Sequence, residues 1–113
     1  MAFLPERNYV EQTLASSYSL SSGTSAFTSN DISRYKVISF QVVANSITGV
    51  NKFVLEQSSD GTNWVSMKDN TYELNTGGGS FIIEKSNFSG KYVRFRLTDT
   101  DSGSISIYLI SKR

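Results

Sequence analysis

Apolar residues along this chain recur at every second position in short runs, and no stretch of ten or more residues repeats them at helical spacing. Period two marks a strand with one buried face, whereas a helix needs a period of 3.6. The chain is therefore confined to short strands joined by turns. Residues 52–67, KFVLEQSSDGTNWVSM, show this most clearly. Phe53 and Leu55 alternate with Val54 and Glu56. Ser58, Ser59, Asp60 and Gly61 then turn the chain, because Asp bonds its own backbone and Gly takes positive φ at no steric cost. A second short strand over residues 63–67 carries the only tryptophan, Trp64.

The same pattern continues on both sides of this hairpin. Residues 37–44 place Ile38, Phe40 and Val42 on one face and Val37, Ser39, Gln41 and Val43 on the other. Residues 92–97 turn Val93, Phe95 and Leu97 inward and Tyr92, Arg94 and Arg96 outward. Residues 104–110 turn Ile105, Ile107 and Leu109 inward. Shorter strands are expected over residues 71–74 and 80–84, and polar turns over residues 45–51, 68–70, 75–79, 86–90 and 98–103. Together these predict an all-β protein: an antiparallel β-sandwich, jelly-roll-like, of seven or eight strands. Its expected core includes Ile38, Phe40, Phe53, Leu55, Val93, Phe95, Ile105 and Ile107.

Residues 1–34 read differently. An apolar tip around Phe3 and Leu4 precedes Pro5, and a Ser/Thr-rich segment follows with isolated Tyr18, Leu20 and Phe27. This predicts a partly extended N-terminal arm over residues 1–34 and a sandwich domain over residues 35–113. Phe3, Leu4, Tyr9 and Leu14 are the arm residues expected to dock on this domain or on a neighbouring copy.

Composition narrows the function classes. A chain of 113 residues makes one domain. With 11 basic and 10 acidic residues, the net charge of +1 is not the basic excess of a nucleic-acid binder. There is no cysteine for a disulfide framework or thiolate metal site. There is no histidine, the commonest general base and metal ligand. The N-terminus has no basic start leading into a long apolar run, so neither a signal peptide nor a membrane span is expected. The opening Met1 is what a complete chain carries. No cofactor is expected.

Candidate motifs each have a plainer reading. Gly77, Gly78 and Gly79 lack the following helix, Lys and Ser/Thr of a phosphate loop, and so read as a strand connection. Asp99 and Asp101 alternate as calcium ligands do, but the bidentate Glu of an EF-hand is missing, and Asp and Gly also suit a tight turn. Glu56, Glu73 and Glu84 are carboxylates on predicted strands, expected on solvent faces, with no spacing that pairs them for glycoside hydrolysis. Without histidine the many serines have no Ser-His partner. The chain is not expected to be an enzyme. Lys91, Tyr92, Arg94 and Arg96 form a basic and aromatic patch that suits an acidic neighbouring strand or subunit better than phosphate or sugar. Trp64, Tyr72, Tyr92 and Tyr108 are rings on which a sugar can stack, although Trp64 also suits a plug over the end of the core. Asn87, Phe88 and Ser89 match the glycosylation acceptor pattern, which has no meaning without a secretion signal.

Three pieces carry a resemblance: the SFQVVA strand (residues 39–44), the FVLEQSSDGTNW hairpin (residues 53–64) and the closing KYVRFRLTDTDSGSISIYLISKR (residues 91–113). Together they resemble small β-sandwich structural proteins of bacteriophage particles. They are also similar, more weakly, to discoidin-type and carbohydrate-binding sandwiches. The first resemblance covers residues 37–113. It implies a virion component of capsid, vertex, decoration or tail that works by contact with its own copies and with other virion proteins. The second implies, as the alternative, a host-surface glycan-binding module using Trp64, Tyr72, Tyr92 and the Asp99/Asp101 loop. Discoidin domains are usually longer and often stapled by cysteines, and this chain is neither.

Overall fold

A computed structural model describes residues 9–22, 25–67, 71–86 and 89–113, in which strands dominate and no α-helix occurs. One sheet has the order β1 (Tyr9–Ser19), β9 (Ser102–Lys112), β3 (Val37–Thr48), β7 (Gly78–Lys85). The other has the order β2 (Ala26–Thr28), β8 (Tyr92–Asp99), β4 (Lys52–Ser58), β5 (Val65–Ser66), with β6 (Tyr72–Glu73) also pairing β4. We call these the first and second sheets. All described pairings are antiparallel.

The chain order gives the topology. It crosses between sheets from β1 through β4, stays in the second sheet for β5 and β6, and crosses again to β7, β8 and β9. β5 pairs Glu56 and Gln57, and β6 pairs Lys52 and Phe53, so the two short strands share one lane beside β4. Counting that lane once leaves two four-stranded sheets wrapped around each other, which is the jelly-roll arrangement.

The core lies between the sheets. Every expected core residue, from Ile38 to Ile107, is buried. Phe53 stacks on Phe95 with ring centroids 4.1 Å apart, and Phe95 lies 6.4 Å from Phe40 across the layers. Aromatic pairs at such spacings add to their area burial.

Four parts of the sequence reading change. Within the arm expected over residues 1–34, residues 9–19 and 26–28 form β1 and β2, outer strands of the two sheets. The reason is apolar content that the Ser/Thr background hides: Ala15 and Leu20 are buried, and the Tyr18 ring meets Phe27 edge-on at 5.0 Å. Ile32, also within that stretch, is buried too. Phe3 and Leu4 lie outside the described residues.

The turn expected over residues 45–51 begins later. β3 runs on to Thr48 through a bulge between Asn45 and Thr48, with Ser46 at φ 55°. The extra residue re-aims the strand and buries Ile47. Gly78 and Gly79 belong to β7 rather than to a connection, pairing with Asn45 and Ala44. Gly78 has φ 104°, and a Cβ there would collide with the Ala44 carbonyl, so only glycine starts this strand at that distance. Finally, Glu56, expected on a solvent face, is buried at 8% exposure. The expected polar turn at residues 68–70, and Asn87 and Phe88, fall outside the described residues.

Candidate interaction surfaces

The hairpin between β4 and β5 is held by one carboxylate. Asp60 Oδ1 accepts hydrogen bonds from the backbone N–H groups of Thr62 and Asn63, both at 2.8 Å, and from the Ser58 hydroxyl at 2.9 Å. Its Oδ2 accepts from Asn63 Nδ2 at 2.8 Å. The Asn63 and Thr62 N–H groups, with the side chains of Asn63 and Ser58, hold the Asp60 carboxyl well below the usual carboxylate range. Gly61 follows at φ 77°, and a Cβ there would rest on the Tyr92 ring. The S-x-D-G-T-N segment is thus a self-satisfied turn, and the Asp60 carboxylate accepts from backbone and side-chain donors of the turn itself.

This turn leads into the outer face of the second sheet. Glu56 on β4 stands opposite Arg94 on β8, with Arg96 one inter-side-chain step along. Arg94 Nε donates to Glu56 Oε1 at 2.7 Å and Arg96 Nε to the same oxygen at 3.0 Å. Burial disfavours the charged carboxylate. The hydrogen bonds and charges of Arg94 and Arg96 outweigh that, so the Glu56 carboxyl sits below its ordinary value. The Arg94 guanidinium lies 4.3 Å from the Trp64 ring centroid, and Lys91 Nζ lies 5.8 Å from the ring of Tyr92.

Trp64, Tyr92, Arg94 and Arg96 are therefore brought together on one face, with Glu56 as the member that sequence reasoning left in solvent. Trp64 is half-buried on this outer face and covers Arg94 instead of plugging the core. Tyr72 is not part of the group. It lies at the other end of the lane that β5 and β6 share beside β4, stacked on Phe53 at 5.1 Å, where burial pushes its phenol up. Tyr9 and Leu14 sit on β1, at the far edge of the first sheet. Tyr108 is exposed on the outer face of β9, in register with Thr13 and Gln41.

Asp99 and Asp101 flank the β8–β9 turn, and both are exposed. Among the described residues, no three Asp, Glu, His or Cys side chains gather as a metal site would require. A different polar contact organises this end. Asn51 is fully buried, donating from Nδ2 to the Thr48 carbonyl at 2.9 Å and accepting the Asp101 N–H on Oδ1 at 2.7 Å. It ties the β3–β4 turn to the β8–β9 turn. One polar side chain in a turn gives no sequence signal for this.

The second surface is the margin of the sandwich at β6 and β7. Phe81 and Ile83 on β7 pair with the buried Val42 and Phe40, so they face inward, yet both are only half-buried. Between the two sheets here runs a groove of about 320 Å³ lined by Tyr72, Glu73, Asn75, Gly79, Phe81 and Ile83 among others. Its floor continues into the core through Phe53, whose ring lies 6.2 Å from Phe81.

The four outer lanes of the sheets differ sharply. β2, β5 and β6 have three, two and two residues. β1 is long but its register breaks between Thr13 and Ala15 and again between Ala15 and Tyr18, with Ser17 at φ 49°. Short or bulged outer strands are how sheets avoid pairing with other chains. β7 has neither feature. Its eight residues pair β3 in unbroken register from Lys85 to Gly78, and its other side pairs with no described strand. Ile82 at its middle is 65% exposed.

No family model matches the chain, and no curated protein does. Solved structures do. A chain of Bacillus endospore appendages, described as a novel family of disulfide-linked pili, aligns with a TM-score of 0.52 at 13% identity over 98% of this chain and 95% of that one. The enzymatically active domain of tailspike protein 4 of bacteriophage CBA120 aligns at 0.47 and 9% identity, over 94% of this chain and 19% of that one. At these identities the first is a likeness of fold, and the second is too distant to inform more.

Proposed function

We propose that this chain is a structural subunit that works by self-association, and that within this class it is a bacteriophage virion component of the capsid-associated, vertex or decoration kind. The observation that carries the reading is the side of β7 that no described strand pairs: eight residues in unbroken register beside an apolar groove, on a sandwich whose other outer lanes are short or bulged. An unpaired regular strand offers a row of N–H and C=O groups to another chain. The virion assignment leans on the sequence resemblance over residues 37–113.

The fold shared with the spore-appendage chain along almost its whole length favours a second setting, a filament on a cell or spore surface. Both settings call for a subunit that repeats. This sequence has no cysteine for the disulfides that link those pili, so the proposed contacts between copies do not use them. Two of its carboxylates, Asp60 and Glu56, are engaged within its own fold, which favours action by contact over catalysis.

Sedimentation of the full chain over a wide concentration range, with electron microscopy of the concentrated protein, tests this. Ordered oligomers, rings or fibres are expected. A monomer at every concentration that binds members of a glycan array would replace the proposal with the glycan-binding reading.

A further inference from the structure

We infer that the outer face of the second sheet holds a binding site for a carboxylate-bearing sugar, with Arg94 and Arg96 taking the carboxylate and the cleft beside Arg96 taking the ring. The inference stands apart from the self-association reading, because β7 belongs to the other sheet.

The site begins with an uneven charge balance. Glu56 offers one oxygen to two guanidiniums, at 2.7 Å from Arg94 Nε and 3.0 Å from Arg96 Nε. One carboxylate between two arginines leaves the group positive. Each arginine uses its Nε–H on Glu56, and among the described residues no other hydrogen bond reaches either guanidinium. Their terminal N–H groups are left to a second acceptor, and a guanidinium presents these donors as a planar fork that matches a carboxylate. The two forks are set before a ligand arrives. Glu56 is buried, the Trp64 ring covers Arg94, and the Arg94 side chain is only 22% exposed. Ordering long side chains is a main cost of binding at surface arginines, and here the fold has already met much of it. Partial burial also weakens screening by salt. Arg96 is the open member, with its side chain 41% exposed.

Beside Arg96 lies a cleft of about 370 Å³ lined by Ser25, Ala26, Arg96, Leu97 and Thr98, a size that suits a small ligand. β2 makes room for it by setting the short side chain of Ala26 opposite Arg96. β8 bulges at the same place. Leu97 pairs with Phe53 and Asp99 with Lys52, so Thr98 is the extra residue, and a bulge re-aims the side chain it carries. Thr98 Oγ1 is shielded from solvent and has no hydrogen-bond partner. A shielded hydroxyl without a partner costs stability, and a ligand hydroxyl that bonds it removes that cost. A protein partner anchors through a large apolar or aromatic side chain in a desolvated pocket. This lining gives such an anchor little to hold: it is hydroxyls and small groups, and Leu97 is buried beneath it. A hydroxylated ring carrying a carboxylate matches both halves of the site.

NMR titration of the isotope-labelled full chain with a galacturonic acid oligomer, at fixed ionic strength, tests this. The Nε–H signals of Arg94 and Arg96 and the indole N–H of Trp64 should shift and saturate. The methyl-esterified oligomer keeps the sugar without its charge, and acetate keeps the charge without the sugar. Each should bind roughly tenfold more weakly or worse. Arg96→Gln should lose binding by a similar factor, and Arg96→Lys should restore only part, since it keeps the charge and loses the fork. Lys112→Gln removes a charge from the first sheet and should change nothing. Thr98→Val should bind severalfold more weakly while melting no lower than the parent, which shows that the sandwich is intact. Equal binding of the ester would overturn the arginine pair as the recognition element. Equal binding of acetate would mean an adventitious ion only and overturn the sugar. Arginine shifts that follow protein concentration instead of added oligomer would assign this face to a contact between copies. A folded chain whose signals do not move with the oligomer would overturn the site outright.

Discussion

Individual side chains here hold turns and faces, two carboxylates among them. Glu56 and Asp60 both have folded-state values below those of a free carboxyl. A depressed value means that the stabilisation is complete above the unfolded value, near pH 4, and is lost as pH falls through the folded one. The melting temperature should therefore hold steady from neutral pH down to about pH 5 and decline in more acid solution. Glu56→Gln should cost about 1–3 kcal/mol at neutral pH, since two charge-assisted hydrogen bonds go, and should flatten part of the acid decline. Asp60→Ala should lower the melting temperature by releasing the Thr62 and Asn63 N–H groups, and hydrogen exchange should rise at those two amides first. Both effects are read by circular dichroism melts against pH and by exchange measured by NMR. The Asp60 turn was legible in the sequence, because S-x-D-G states its own hydrogen bonds. The burial of Glu56 was not, because it depends on Arg94 and Arg96 arriving from a strand 38 and 40 residues away.

Elements behave according to how visible their apolar period is. β3 as far as Ala44, β4, β8 and β9 alternate cleanly, and their inward faces are legible in the sequence. β1 and β2 read as an arm in the sequence because their inward residues, Ala15 and the half-buried Phe27, are sparse in a serine background and pair only with strands that come much later in the chain. Ile47 was missed because a bulge shifts the alternation by one residue. Two substitutions test the packing. Phe53→Ala removes the ring that joins Phe95, Tyr72 and Phe81 and should cost about 3–5 kcal/mol in a denaturant titration. Gly78→Ala places a methyl against the Ala44 carbonyl at a positive φ and should cost more than about 1 kcal/mol. On β7, Ile82→Lys changes a side chain exposed to solvent, so stability should move by no more than about 0.5 kcal/mol.

At the scale of the whole molecule, the jelly-roll arrangement follows from which strands pair, and short turns do not reveal that. Seven or eight strands could be counted in the sequence, and their assignment to two sheets could not. Nor could the contrast among the outer lanes, since bulges in β1 and the unbroken register of β7 exist only once partners are fixed. That contrast is why self-association is proposed along β7, and a lysine on an open strand is a known way to stop such pairing. Sedimentation velocity of the wild-type chain beside Ile82→Lys, over the same concentrations, tests this most directly. The account expects the wild type to grow in mass with concentration while Ile82→Lys, equally stable, remains a monomer. Identical sedimentation of the two proteins, whether both assemble or neither does, would contradict it.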